Sequence, residues 1–194
     1  MTGPIAVIDT DVIVLLLDNA NAPDIRRRKS YVELAFENLK KQRAHFVVPS
    51  PVIAELSRTG PGSEVIREAV KKALGRVRIE VLDAEAADIA GSISRITLQS
   101  RAGRERGAVK YDSLIAAIAH RIGAKWLVTG NSGDYRKALA VINSPVDVIV
   151  ATEPPARGQQ VILEAMARPA PSPSPPPPSN EAKPSGRGVG RGGK

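Results

Sequence analysis

Asp9 closes a short run of β-type residues, Ile5–Ile8, and Asp11 follows at once, before an apolar segment begins. A carboxylate at the end of a buried strand is costly unless it has a partner or work to do there. In parallel α/β sheets, ligands bind at the strand ends from which helices leave. Glu55 lies in the first turns after a second strand, Asp112 opens the helix before a fourth, and Asn131 and Asp134 follow that strand in TGNSGDY. Carboxylates crowded together raise one another's pKa. A hard divalent cation relieves the crowding: Mg²⁺ takes oxygen ligands, keeps several waters and needs few protein carboxylates. Such an ion acidifies a bound water and stabilises a phosphoryl oxygen, so the expected chemistry is metal-assisted.

Each of these residues also has an ordinary use. Thr10 or Asp11 can cap a helix over Val12–Leu17, and Glu55 suits the dipole of a helix start. Asp112 can be a first-turn acid paired with Lys110, and Asn131 and Asp134 are common turn residues. His120 reads as a helix-surface or interface residue. The ordered recurrence of acids at strand exits, not any one of them, points to a site.

The elements that must position these acids alternate along the chain. Strands are expected at Ile5–Ile8, His45–Val48, Val77–Leu82, Trp126–Thr129 and Val146–Val150. Helices are expected between them. Val32, Ala35, Phe36 and Leu39 form one apolar face after the basic run Arg26–Lys29, which is read as solvent-facing. Ser50 reads as an N-cap with Pro51 at the first helical position of Pro51–Arg58. A mixed-charge helix, Glu64 to Leu74, ends at Gly75, and Asp83 caps a helix whose stripe is Ala86, Ile89, Ala90, Ile93 and Ile96. Ser100–Gly107 reads as a basic loop before the dense apolar helix Tyr111–Ile122, which Gly123 ends. Tyr135–Ile142 closes the helical set. Strands alternating with crossover-length helices predict an α/β sandwich with a mostly parallel central sheet.

Composition narrows the classes. Of 194 residues, 42% are apolar and only 3% aromatic, so aliphatic side chains must fill the core. The absence of cysteine excludes disulfides and thiolate chemistry, and with only His45 and His120 a multi-histidine zinc site is not expected. The start shows no signal-peptide pattern and no run approaches membrane-spanning length, so a cytoplasmic protein is expected. A net charge of +8 suits polyanions, nucleic acid among them, and equally a plain solvated basic surface. Residues 1–152 read as one domain and 153–168 as a linker or terminal helix. Residues 169–194, rich in Pro and Gly and basic, read as a disordered tail.

The series IDTDVI, SPVIAEL, KYDSLIAAIA and LVTGNSGDY resembles the PIN-domain nucleases, and more closely the VapC-type toxins of bacterial toxin–antitoxin pairs, over about Ile5 to Val150. The resemblance implies a PIN-like three-layer sandwich and a Mg²⁺- or Mn²⁺-dependent ribonuclease, often dimeric and inhibited by a cognate antitoxin. Carried over by motif, Asp9, Glu55 and Asp112 are the first, second and third acids. Asn131 stands where many members place a fourth acid or an Asn, and Asp134 matches the acid of an N-x-x-D-F ending, with Tyr135 for Phe. Asn131 and Asp134 thus remain alternatives for completing the site. Asp11 replaces the more usual Asn, and the long tail is outside the family pattern.

On this reading Asp9 and Asp112 bind the metal, Glu55 binds it or orients a water, and Asn131 or Asp134 completes the shell. Thr10, Asp11 and Ser113 stand behind the acids as hydrogen-bond partners, and Arg101, Arg104, Arg106 and Lys110 grip RNA phosphates. A housekeeping RNA-processing nuclease competes with the toxin. A non-catalytic nucleic-acid-binding module is the alternative from a different class; its groove would keep acids that repel phosphate.

Overall fold

In the computed structural model the described residues are 3–59, 62–99 and 106–154. Their first strand and first two helices are β1 (Ile5–Ile8), α1 (Thr10–Leu17) and α2 (Pro23–Lys41). β2 (His45–Pro49), α3 (Ser50–Thr59), α4 (Ser63–Leu74) and β3 (Val77–Glu80) follow. The second half holds α5 (Ala84–Gln99), α6 (Arg106–Arg121), β4 (Trp126–Thr129), α7 (Ser132–Val141) and β5 (Asp147–Val150). Arg101, Arg104, and the linker and tail from residue 155 onward lie outside the described residues.

The five strands pair in the order β3-β2-β1-β4-β5, and every pairing is parallel. The chain steps outward from β1 through β2 to β3, then returns to the other side of β1 as β4 and β5. β1 and β4 therefore flank the point where the strand order reverses, the usual ligand crevice of such sheets. The register Ala6↔Trp126, Val7↔Leu127, Ile8↔Val128 fixes how their ends meet. Helices α1–α4 pack among themselves, and so do α5–α7. Right-handed crossovers put the two groups on opposite faces, giving three layers.

The core is aliphatic, as the scarcity of aromatics requires, with Ala6, Val7, Ile8, Leu127 and Val128 fully buried in the central strands. α6 has no solvent face from Ile115 to Ala119, because small Ala residues let α5, α7 and the sheet close around it. Phe36 and Phe46 meet edge to face at 5.2 Å between ring centroids, joining α2 to β2. Among the described residues no helix is long and apolar enough to cross a membrane.

Several expected boundaries shift for physical reasons. α1 starts at Thr10 and its cap is Asp9, whose side chain accepts from the Thr10 N–H, so neither Thr10 nor Asp11 is the capping residue. α3 starts at Ser50, whose hydroxyl accepts from the Leu82 N–H across the fold instead of capping its own helix. Arg106 and Gly107 belong to the first turn of α6, not to a loop, and Lys110 follows in the same helix. The stripe of α5 drifts at its end: Thr97 turns inward, its hydroxyl bonded to the Ile93 carbonyl at 2.8 Å, and Ile96 is exposed. Asp83 caps α5 as expected, accepting from Ala86 N–H at 2.9 Å, and Gly123 ends α6 with φ +62°.

Candidate active site

β1 delivers Asp9 to its C-terminal edge, where the carboxylate is buried to 6% exposure. Three donors hold it. Oδ1 accepts from the Thr10 N–H at 2.6 Å and the Tyr135 hydroxyl at 2.7 Å; Oδ2 accepts from the Thr129 hydroxyl at 2.7 Å. The β1–β4 register makes this possible: Asp9 N–H bonds the Val128 carbonyl at 3.0 Å, which sets Asp9 beside Thr129. Thr129 also accepts from the Asn131 N–H at 2.9 Å, bracing the turn into α7.

Asp11 sits in the first turn of α1. Its Oδ2 accepts from the Gly130 N–H at 2.8 Å, while Oδ1 is buried and has no hydrogen-bond partner among the described residues. Gly130 is required there, because a Cβ would meet Asp11 Oδ2 at 2.5 Å and Thr152 at 2.9 Å. On α3, Glu55 accepts from the Thr10 hydroxyl at 2.6 Å. Thr10 thus serves the second acid with its side chain and the first with its backbone. On α6, Asp112 is half-buried beside a fully buried Ser113. On α7, Asp134 is half-buried, and the amide of exposed Asn131 lies 3.4 Å from its Oδ2.

The acids feel one another. Burial, then the Asp11 charge, pushes Asp9 up to about 7, against the lowering effect of its hydrogen bonds. Burial and the charges of Asp9, Asp134 and Glu55 push Asp112 up to about 7. Burial raises Asp11 as well. Asp9, Asp11, Glu55, Asp112 and Asp134 therefore share one electrostatic pocket, drawn from β1, α1, α3, α6 and α7. Of the basic candidates, the side chains of Arg106 and Lys110, like Arg101 and Arg104, are not among the described ones.

Sequence reasoning missed Tyr135 and Thr129 as site residues. Tyr135 is fully buried, and burial followed by the charges of Asp9 and Asp112 raises its phenol well above the usual range, so it stays a donor. The signal was present: Tyr stands where the motif ends in Phe, and a threonine closes the apolar strand WLVT. Removing the hydroxyl in Tyr135→Phe should leave the fold intact and lower Mn²⁺ affinity roughly tenfold or more, as loss of a ligand's supporting partner does. Calorimetric titration measures it; unchanged affinity would remove Tyr135 from the site.

The donor set suits a hard cation: it is all oxygen, one buried Asp11 oxygen has no partner among the described residues, and protons taken up near pH 7 supply the neutralisation a cation would otherwise give. As the side chains stand, no group of three or more acids or histidines among the described residues encloses an ion. Holding one therefore requires the side chains to rearrange and the bound protons to be displaced.

These shifts fix the sign of a pH effect. In the unfolded chain the two acids titrate near 3.8, and in the folded chain without a cation near 7. The folded state binds more protons across that window, so stability is fully present below it and falls as pH rises through 7. In EDTA, the wild-type melting temperature should drop between pH 5 and pH 8 by more than that of Asp112→Asn. Parallel melting curves for the two proteins would contradict the shared pocket.

The sequence matches no family model, and no curated protein matches it either. Solved structures do. One is VapBC2 from Rickettsia felis bound to a DNA fragment from their promoter: 19% identity, 74% of this chain and 98% of that chain, TM-score 0.50. Another is DNA-bound VapBC from Salmonella typhimurium: 16% identity, 75% of this chain and 97% of that chain, TM-score 0.50. At such identities the likeness is one of fold, and it is the fold that the motif series implied.

Proposed function

We propose that the chain is a metal-dependent endoribonuclease of the VapC type, the toxin of a toxin–antitoxin pair. The observation that carries this reading is the gathering of Asp9, Asp11, Glu55, Asp112 and Asp134 at the reversal point of the sheet, where neighbouring charges help raise Asp9 and Asp112. A pocket of mutually repelling carboxylates destabilises a protein unless they bind something positive. The VapBC descriptions of similar folds support the choice of partner, a small cognate antitoxin. A homodimer and a cytoplasmic place of action belong to the same reading.

Asp9 and Asp112 would hold the ion, with Asp11 reaching it through Oδ1, which has no hydrogen-bond partner among the described residues. Mg²⁺ or Mn²⁺, when bound, supplies a Lewis acid that acidifies water and offsets charge on the phosphate. Tyr135, Thr129 and the Thr10 N–H keep the Asp9 carboxylate in one orientation. Glu55, steadied by Thr10, would accept a proton from the attacking water. Asn131 and Asp134 form the rim beside β4, where they can position substrate.

Cleavage of a generic single-stranded RNA should appear with Mg²⁺ or Mn²⁺ and vanish with EDTA. Activity undiminished by chelator would rule the metal mechanism out. Tight RNA binding without any metal-dependent cleavage would favour the non-catalytic module.

A further inference from the structure

The basic run Arg26–Lys29 faces solvent as expected, with Arg26, Arg27 and Arg28 exposed and Lys29 half-buried. Lys29 donates to the Asp18 carbonyl at the end of α1, which ties the first turns of α2 to that helix. Arg27, Arg28 and Tyr31 then line a cleft of about 480 Å³ with Asp24, Gly130, Thr152, Glu153 and Pro154. Gly130 is the shared wall: its N–H bonds Asp11, and a Cβ on it would strike Asp11 Oδ2 and Thr152. Through Gly130 the cleft adjoins Asp11 of the carboxylate pocket.

We propose that this cleft is a nucleotide subsite, seating the ribonucleotide next to the phosphodiester that is cut; the proposal rests on the nuclease reading above. Its size is within the range of small-molecule sites, about 300–1,000 Å³. Tyr31 is half-buried and offers a ring on which an unpaired base stacks. Arg27 is already engaged with Asp24 at 2.7 Å. Arg28 is exposed and makes no ion pair among the described residues, so its guanidinium is available for a phosphate. Glu153 is the remaining acid, able to accept from a base N–H. With two acids balancing two arginines, the cleft suits one base and one phosphate better than a run of phosphates. A second cleft, lined by Ser63, Glu64, Arg67, Glu68 and Lys71, has no aromatic wall, and its Lys71 is paired with Glu68 at 2.7 Å.

The test is binding of a fluorescent single-stranded RNA to the full chain carrying Asp112→Asn, so that bound RNA is not cut. Adding Tyr31→Ala should raise Kd roughly tenfold with little change in salt dependence, and Tyr31→Phe should restore the parent value. Adding Arg28→Ala should weaken binding and reduce the salt slope by about one. Lys71→Ala, at the second cleft, should match the parent. If the parent binds RNA and the wild type cuts it, but Tyr31→Ala and Arg28→Ala bind like the parent, the subsite is wrong and the nuclease reading stands. A cleft that receives a partner protein's side chain gives that same overturning result. If the parent binds no RNA and the wild type cuts none, the nuclease reading fails and the subsite with it.

Discussion

Asp112→Asn should cleave RNA roughly 10²–10³-fold more slowly than the wild type, while folding at least as well. The substitution keeps the shape of the side chain and removes one charge from a pocket that already pushes Asp112 up to about 7 through burial and the charges of Asp9, Asp134 and Glu55. A cation's contribution to the barrier is several kcal/mol, and each ~1.4 kcal/mol is a factor of ten in rate. Losing one of the two main carboxylates forfeits a large part of that contribution. Stability moves the other way. Above pH 7, without a cation, the folded wild type must bury a repelling charge that the variant's neutral amide lacks, so the variant melts higher. Single-turnover cleavage and thermal melting on the same preparations measure both effects. Near-wild-type cleavage by the folded variant would sink the assignment of Asp112.

Unopposed expression of the wild type should arrest growth of its native host, and Asp9→Asn and Asp112→Asn should be tolerated at equal abundance. A toxin's harm must run through its chemistry, so the variants separate catalysis from mere presence. Asp9 is the more buried of the two acids and takes three hydrogen bonds from Thr10, Thr129 and Tyr135. Its Asn variant replaces one acceptor oxygen with an amide NH₂ that faces donors, so its abundance must be checked before tolerance is credited to lost catalysis. Growth curves with matched protein levels give the readout. If all three proteins are harmless in that host, the housekeeping nuclease replaces the toxin. If all three are equally harmful, binding or aggregation does the damage. Antitoxin relief would arise from a partner segment laid over the carboxylates, presenting a cation to them.

By itself the sequence determined what depends on near neighbours. Apolar runs located β1, broken by Asp9, and β4, broken by the Gly130–Asn131 turn, and both sets of boundaries stand as expected. The face Val32, Phe36 and Leu39 is buried, and Gly123 and Asp83 end and start their helices, since periodicity, capping and left-handed backbone are set within a turn of chain. Asp9 and Glu55 were legible because each falls where a strand hands over to a helix; Asp112, expected to open its helix, lies in the second turn of α6, which starts at Arg106.

Tertiary structure decided who holds them. Thr129 and Tyr135 reach Asp9 from 120 and 126 residues away, and Gly130 reaches Asp11 from 119. Those contacts depend on the parallel pairing Ile8↔Val128, a register no local pattern encodes. The same holds for Ser50, whose hydroxyl left its own helix for Leu82, and for the exposed Arg28 and half-buried Tyr31, which line one cleft with Gly130 and Thr152 from far along the chain. Sequence spacing names donors and acceptors; only the closed sheet sets the distance between them, and hydrogen bonding and charge repulsion act over that distance alone.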